Sequence, residues 1–343
     1  MDSSENLNPQ VMDSHFDLES SWVTVMCRAS RFQISVSLRD LRGSCFETKY
    51  SALVEKVDDV DGGDDDDYEA ICDWILEPCS SYFRECTPTI PKVLTFQAFY
   101  YPPTYHLKLI VSGSTLQPKA TRDRGTMNPF ALMTPTQDFP PYPQVPYTKA
   151  SDITILAARE DYDYMSEIPQ RAGLKDGTIK FFKPAIDKNQ NIREINTHLR
   201  LVKAGLKGKI RVSNFHSIVI STDAKMILGL LFDLIPLNPL GENLSSSKYK
   251  AASFSKYHAK WKKQVTAIVQ ELHSHDIVWG DAHPGNIVID QDFNAWIVDF
   301  GGGWVEDFVD RKKAGTKEGD WQGVQNIFGK GMIESGEVER DLD

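Results

Sequence analysis

The sequence has few cysteines, no excess of basic residues and no long apolar run. No uninterrupted apolar stretch reaches the length that a transmembrane helix needs. Its 38 Lys and Arg are outnumbered by 48 Asp and Glu, and a net charge of -10 argues against broad binding to nucleic acid or anionic membranes. Residues 1–18 lack the basic region and apolar run of a signal peptide. We therefore expect an intracellular protein, cytoplasmic or nuclear, whose partners include neither nucleic acid nor membrane.

The chain has five cysteines, an odd number. Three of them are spaced by seven residues: Cys72, Cys79 and Cys86. That spacing is typical of one face of a helical segment and differs from the Cys-x-x-Cys pattern of a zinc knuckle. We expect free, mostly buried thiols in a reducing compartment.

The composition is that of an ordinary globular protein. A chain of 343 residues with 41% hydrophobic and 25% charged residues can form one large or two modest domains. Residues 1–20 are polar and lack periodicity, which predicts a disordered leader. The segment Asp58–Glu69 holds eight acids and two glycines, which predicts a solvated loop. A calcium loop is the alternative, but Ala70 stands where such a loop has its bidentate Glu.

The first part of the chain predicts an α+β extension over residues 21–138. Apolar and polar residues alternate in the first predicted strand, and the predicted helix has apolar residues at helical spacing. These elements are a strand at Arg31–Leu38, a helix at Tyr68–Leu76, and strands at Val93–Tyr101 and His106–Ser112. The Pro-rich segment Phe139–Tyr147 then predicts an extended linker over residues 139–148, or a PxxP ligand for another domain.

Beyond residue 148 the periodicity predicts strands and helices in a defined order: a strand, a hairpin, a helix, two strands and a long helix. These elements are Ile153–Ala157, Thr178–Lys183 after the turn at Asp176–Gly177, Asn191–Val202 with a stop at Gly205, Ile210–Ser221, Lys225–Ile235 and Ser255–His273.

The segment His275–Gly301 carries the chemistry. It reads as a polar loop followed by two short strands and a glycine-rich exit, so that Asp281, Asn286 and Asp299 stand at the ends of buried segments. Such placement lets three oxygen-bearing side chains converge. Magnesium prefers oxygen ligands and takes one or two carboxylates plus nucleotide phosphates, which suits Asn286 and Asp299 as its ligands. Asp281 is then free to handle a proton.

These residues resemble the signature of the protein kinase superfamily. The stretch Trp279–Asn286 (WGDAHPGN) is similar to the family's catalytic loop, and Asp299–Gly301 is similar to its metal-binding DFG motif. The resemblance implies a two-lobed kinase-like fold that uses ATP and Mg²⁺. In that family the loop Asp orients the acceptor hydroxyl, which corresponds to Asp281, and the loop Asn binds magnesium, which corresponds to Asn286.

The resemblance also assigns residues upstream. Lys183 stands where the family has its phosphate-contacting lysine, and Glu194 where it has that lysine's ion-pair partner. Lys180 is the rival of Lys183, but it falls on the opposite face of the predicted strand. By analogy the backbone of Asp233 and Ile235 would hydrogen-bond an adenine edge.

Several features depart from protein kinases. No G-x-G-x-x-G precedes Lys183, so phosphate cradling by a glycine-rich loop is not expected. Gly280 replaces the arginine that binds a phosphorylated activation loop, and no A-P-E follows, so no phosphorylation switch is expected between Gly301 and Asp320. His283 occurs where small-molecule kinases and antibiotic phosphotransferases carry a His; a bare surface histidine is the alternative.

The end of the chain implies a shortened C-terminal lobe. Asp320 resembles the family's buried Asp that braces the catalytic-loop backbone, with a helix N-cap as the alternative. The whole pattern resembles compact fungal kinase-like proteins, well over residues 150–325 and loosely over residues 20–115. The implied lobes are residues 149–235 and 236–343 of an α+β chain.

The function that follows is transfer of the γ-phosphoryl of ATP to a hydroxyl of a protein or a small molecule. Asp281, Lys183, Glu194 and His283 form the expected catalytic set, and Lys183, Asp233, Ile235, Asn286 and Asp299 the expected nucleotide and metal set. The alternatives are a pseudokinase or nucleotide-binding interaction module without turnover, and a structural partner protein that binds through its acidic and Pro-rich segments.

Overall fold

A computed structural model describes residues 7, 9–57, 65–87, 93–122, 133–156 and 168–329. The chain divides into two compact units, each formed by two stretches of sequence. The first comprises Met1–Leu132 with Lys149–Lys175, and the second comprises Met133–Thr148 with Asp176–Asp343.

The described residues contain both strands and helices. The strands are β1 (Gln10–His15), β2 (Ser20–Cys27), β3 (Ser30–Ser37), β4 (Thr104–Ser112), β5 (Thr115–Ala120), β6 (Thr134–Pro135), β7 (Tyr147–Lys149), β8 (Thr154–Ile155), β9 (Arg171–Gly173), β10 (Ile179–Pro184), β11 (Phe215–Ile220), β12 (Met226–Asp233), β13 (Ile287–Ile289) and β14 (Ala295–Ile297). The α-helices are α1 (Leu38–Leu41), α2 (Cys45–Val57), α3 (Asp65–Leu76), α4 (Ser80–Cys86), α5 (Phe96–Tyr100), α6 (Lys188–Lys203), α7 (Ser247–Lys250), α8 (Ser255–Ser274) and α9 (Lys317–Gly329). The predicted α+β class is confirmed.

The first unit is built on a five-stranded sheet in the order β1-β2-β3-β4-β5. Strands β3 and β4 run parallel, and the other neighbours run antiparallel. Helices α2, α3 and α4 cover this sheet, because each carries apolar residues at helical spacing. Tyr50, Ile71 and Phe83 from these helices lie buried in one cluster with Phe32 and Ile34 of β3.

Three sequence predictions in this unit need correction. The predicted disordered leader, residues 1–20, contains β1, which pairs with β2. The predicted strand Val93–Tyr101 contains helix α5 instead, because the Thr95 side chain caps it by accepting a bond of 3.1 Å from the Ala98 N–H. The acidic segment is not a loop throughout: its end forms the first turn of α3, where acids favour the helix dipole. Residues 58–64 lie outside the described residues.

The cysteines have no covalent partners. Cys27, Cys72 and Cys79 are buried, Cys86 is half-buried and Cys45 is exposed. Burial raises the pKa of the Cys72 thiol to about 11 and that of Cys79 to about 12. The prediction of free, mostly buried thiols is confirmed.

The Pro-rich segment is not an extended linker. Phe139, Tyr142 and Val145 are buried in the second unit, in one cluster with Ile195 of α6 and Leu230 of β12. Apolar side chains at every third position give the segment a face to bury, which the proline content hides. The predicted boundaries lie near residues 138 and 148, whereas the two units assign residues 133–148 to the second and 149–175 to the first.

The second unit begins with antiparallel strands and a helix that faces them. Strand β12 lies between β10 and β11 and also pairs with β6. Helix α6 begins where Asp187 accepts a bond of 2.8 Å from the Gln190 N–H, and its Ile195 packs against the sheet. The helix predicted at Asn191–Val202 is confirmed, and Gly205 follows it with a positive φ of 69°.

The remainder of the second unit is built on α8, α9 and the hairpin of β13 and β14. Trp261 of α8, Ile289 of β13 and Ile327 of α9 lie buried in one cluster, together with Trp279 and Phe300. The long helix predicted at Ser255–His273 is confirmed. Among the described residues, no helix is both long and apolar enough to cross a membrane.

Candidate active site

Lys183 lies at the centre of the site, on strand β10. Its ammonium nitrogen donates to Glu194 Oε2 across 2.6 Å and to Asp299 Oδ1 across 2.7 Å. Glu194 comes from α6 and Asp299 follows β14, so three separate elements deliver these side chains. The structure thus brings together three of the residues that the sequence singled out.

The charges of this cluster are unequal, since one cation faces two carboxylates. Burial would lower the pKa of the Lys183 ammonium, but Glu194 and Asp299 outweigh burial and raise that pKa above its usual value. Burial raises the pKa of Glu194, whose side chain is only 2% exposed, and Lys183 opposes that rise. Lys183 therefore stays charged beside the buried Glu194.

Two residues of helix α6, Glu194 and His198, contact Phe300, which follows β14. The second oxygen of Glu194 accepts a bond of 3.4 Å from the Phe300 N–H. One helical turn later, the ring of His198 lies 5.3 Å from the rings of both Phe300 and Phe232. Burial lowers the pKa of His198 to about 3, so this imidazole is neutral and acts as an aromatic packing group.

The hairpin of β13 and β14 brings Asn286 and Asp299 to the same end. Ile287 pairs with Ile297, and the Val298 N–H donates to the Asn286 carbonyl across 3.0 Å. Asp299 has a φ of +60°, which a residue with a side chain rarely adopts, and the Gly301 N–H donates to its Oδ1 across 3.0 Å. A backbone held in this conformation is a common feature of functional sites.

Asp281 and Asn286 are linked directly. The Asn286 amide nitrogen donates to the Asp281 carbonyl across 3.1 Å and to Asp281 Oδ2 across 3.0 Å. Both bonds use the nitrogen, so the amide oxygen takes part in neither and keeps its capacity as an acceptor or metal ligand. His283 Nε2 lies 3.6 Å from Asp281 Oδ2, and its Nδ1 accepts a bond from the Gly285 N–H across 3.2 Å. His283 is half-buried, so it is not a bare surface residue.

Asp320 braces the loop that carries Asp281. Its carboxylate accepts bonds from the Trp279 N–H across 2.9 Å and from the Gly280 N–H across 2.7 Å. His273 Nε2 lies 2.8 Å from the same carboxylate. Burial raises the pKa of Asp320, and these three partners oppose the rise. Asp320 lies inside the first turn of α9, so the predicted brace is confirmed and the N-cap alternative is wrong.

Magnesium fits the donors at the end of the hairpin. Among the described residues, no group of three or more His, Cys, Asp and Glu side chains could hold a metal ion by itself. Magnesium does not need one, since it shares its ligands with nucleotide phosphates and water. The amide oxygen of Asn286 and the carboxylate of Asp299 provide the oxygen donors that it prefers.

The positions assigned to adenine recognition differ from each other. The Asp233 N–H donates to the Asn214 carbonyl across 2.9 Å, and its carboxylate pairs with Lys180 across 2.7 Å. The Asp233 N–H is therefore not available to an adenine. Ile235 lies two residues beyond the end of β12. Lys180 forms its ion pair with Asp233 on the face of β10 opposite Lys183, as predicted.

The sequence interpretation missed Arg193 and Gly303. A β-carbon at Gly280 or Gly302 would collide with the Arg193 guanidinium, and one at Gly303 would collide with the Asp281 carboxylate. The glycines at 301–303 were a usable signal for close approach. Nothing in the sequence distinguishes Arg193, because an arginine on a helix is usually solvated.

Comparison with known proteins adds no assignment. No protein-family model matches this chain, and no curated protein matches it. Any function assigned to the chain therefore depends on the geometry of these residues.

Proposed function

We propose that this protein transfers the γ-phosphoryl of ATP, with Mg²⁺, to a hydroxyl group, on a two-lobed kinase-like fold. The observation that carries the proposal is the convergence of Lys183, Glu194 and Asp299, since Lys183 and Asp299 are 116 residues apart in sequence. Phosphoryl transfer requires a fixed cation for phosphate oxygens beside oxygen ligands for magnesium. Both occur here within one bonded cluster.

Each residue then has a role set by its contacts. Lys183 binds phosphate oxygens, and the buried Glu194 holds its ammonium in place. Asn286 and Asp299 would hold magnesium, which supplies positive charge to the β- and γ-phosphates. Asp281, steadied by Asn286 and by the braced loop, orients the acceptor hydroxyl and takes its proton. Catalysis is mostly positioning and electrostatics.

His283 extends the acceptor side of the proposed site. It lies beside Asp281 and caps the turn Pro284–Asn286, so its imidazole is placed to contact an acceptor that reaches the Asp281 carboxylate. The acceptor itself is a hydroxyl of a protein or of a small molecule. The half-buried His283 in this position favours a small molecule.

A second candidate is a nucleotide-binding module without turnover. Gly303 lies against the Asp281 carboxylate, whose side chain is 14% exposed, so little room remains there for an acceptor. The missing glycine-rich loop points the same way. The bond from Asn286 to the Asp281 carboxylate, with Asp299 bonded to Lys183 at the end of the same hairpin, favours catalysis.

The test is turnover of ATP by the full chain. The purified protein should form ADP from ATP when magnesium is present, and chelation of magnesium should abolish this. Lys183→Met should lower the rate by a factor of about 10² or more, because it removes the cation that meets the phosphates. Binding of Mg-ATP without any turnover, over a panel of alcohol and peptide acceptors, would favour the second candidate.

A further inference from the structure

An open groove of about 740 Å³ lies on the helical side of the first unit, between helices α2 and α3. Its apolar lining consists of Leu53 of α2 with Trp74 and Leu76 of α3. The Trp74 ring packs against that of Tyr50, with 5.9 Å between the ring centroids, so this lining is fixed to the core of the unit. An apolar groove with a polar rim is typical of a surface that binds a partner.

The polar lining of the α2–α3 groove is acidic on one side. Asp73 of α3 and Glu77, which directly follows α3, are both exposed and stand at positions i and i+4. Neither carboxylate forms an ion pair with another described residue. The whole segment 65–77 holds six acids and no Lys or Arg. The α3 side of the groove therefore attracts cations.

The α2 side of the groove differs in charge. Lys49 of α2 is the one cation in the lining, as far as the structure describes it. This lysine is exposed, and it pairs with no carboxylate of the described ranges, Asp73 and Glu77 included. A ligand with its own cations must therefore direct them toward α3 and away from α2.

The shape of the groove suits a helix. An amphipathic helix binds in a groove between two helices by placing apolar residues at i, i+3, i+4 and i+7 against an apolar surface. Lysines that flank this apolar face reach past it, since their methylene stems lie on apolar surface and their ammonium groups stay in water. Such a helix would cover Leu53 and Trp74 and bring cations to Asp73 and Glu77.

The described part of this chain does not offer such a helix to a second copy. Its helix richest in lysine is α8, which carries Lys256, Lys260, Lys262 and Lys263. The apolar residues of α8 are not free, because Trp261 and the residues below it are buried in the core of the second unit. The occupant of the groove is therefore a different protein.

We infer that the α2–α3 groove binds a basic amphipathic helix of a partner protein. Apolar residues of that helix would contact Leu53 and Trp74, and its Lys or Arg residues would pair with Asp73 and Glu77. The inference does not depend on the proposed phosphoryl transfer, because the groove lies in the first unit and the proposed catalytic residues lie in the second.

The experiment measures fluorescence anisotropy of three labelled peptides titrated with the full chain at low ionic strength. Each peptide has about 14 residues, which is about four helical turns. The first has Leu at i, i+3, i+4 and i+7 and Lys beside this face, the second has Glu at every Lys position, and the third keeps Lys but has Ser at every Leu position. The first should bind at least about tenfold more tightly than either of the others, and added salt should weaken its binding.

Variants of the chain assign the binding to the groove. Asp73→Asn and Glu77→Gln should each weaken binding of the first peptide about two- to fivefold, as expected for exposed ion pairs. Glu55→Gln, which removes an exposed acid of α2 outside the groove, should leave binding unchanged. Lys49→Gln should tighten it, and Leu53→Ala should weaken it. Thermal unfolding of each variant confirms that it is folded.

Charge reversal gives the sharpest result. The double variant Asp73→Lys with Glu77→Lys changes two exposed positions, so its fold should persist, and it should prefer the Glu peptide to the Lys peptide. An unchanged preference for the Lys peptide would overturn the inference. So would equal binding of the Leu-containing and Ser-containing Lys peptides by the wild type, which would show attraction by charge alone, and so would no measurable binding of the first peptide.

Discussion

Lys183 and Glu194 form a nearly buried ion pair, with the ammonium nitrogen 2.6 Å from the carboxylate oxygen. The side chain of Glu194 is 2% exposed and that of Lys183 is 24% exposed. A charge in such a position is tolerated only beside its partner, because removal of the partner leaves it desolvated and unpaired. Loss of Lys183 should therefore lower both the free energy of unfolding and the proposed binding of phosphate.

Lys183→Met should lower the free energy of unfolding by about 3 to 5 kcal/mol, since it leaves Glu194 buried without a cation. Lys180→Met is the matched control on the same strand. Its partner Asp233 is 47% exposed, so its loss should be about 1 kcal/mol or less. Urea unfolding of both variants measures the difference, and equal losses would contradict the central position of Lys183.

The loss in Lys183→Met should also shrink as the pH falls. Burial already raises the pKa of Glu194, and without its cation this carboxyl takes up a proton more readily. In the wild type the pKa of Lys183 is raised, so its stabilising contribution is complete below its ordinary pKa and is lost only as pH rises through the folded value. A difference that stays constant from about pH 8 to about pH 5 would argue against an unpaired Glu194.

Gly303→Ala should impair turnover and spare nucleotide binding. The added β-carbon would collide with the Asp281 carboxylate, which must then move from its position beside Asn286. We expect kcat to fall by about 10²-fold, as for a displaced base, with the Kd of Mg-ATP within about twofold. Gly329→Ala is the control, because nothing lies within 4 Å of its β-carbon. Similar kcat values for the two variants would show that Gly303 is not close to the reacting groups.

Asp281→Asn should retain Mg-ATP binding and lose phosphoryl transfer. Asp281 is assigned to the acceptor hydroxyl, and loss of a positioned base typically removes about 10² to 10⁴ in rate. Asp292→Asn, exposed on the turn between β13 and β14, should have wild-type kcat. Rapid-quench measurement of ADP formation at saturating Mg-ATP makes the comparison. Wild-type turnover by Asp281→Asn would remove Asp281 from the mechanism.

The local parts of the site could be predicted from sequence. Asn286 and Asp299 flank a short hairpin, and a hairpin necessarily brings its two ends together. Helix α6 followed from its apolar periodicity, which placed Glu194 on a helix. The approach of Lys183 to Asp299 spans 116 residues, and only the resemblance to kinases indicated it.

The sequence predictions were wrong where burial in the tertiary structure or helix capping outweighed the local sequence pattern. The proline content of residues 139–148 suggested a linker, but the aromatic side chains of Phe139 and Tyr142 are buried. The strand predicted at Val93–Tyr101 is interrupted by a helix that Thr95 caps. The sequence pattern could not predict the position of Arg193. Its guanidinium lies against two glycines that are 87 and 109 residues away in sequence (280 − 193 and 302 − 193).

The central claim is that Asp299, Asn286 and Lys183 form a site for magnesium and nucleotide. Titration calorimetry with a thermal-unfolding series tests it most directly, because a ligand that binds only the native state adds RT ln(1 + [L]/Kd). That amounts to about 2.7 kcal/mol at a hundredfold excess over Kd. We predict that Mg-ATP stabilises the wild type and the exposed control Asp307→Asn by this amount, and that Asp299→Asn loses the magnesium-dependent part. No stabilisation of the wild type by saturating Mg-ATP, or equal stabilisation of Asp299→Asn, would contradict the claim.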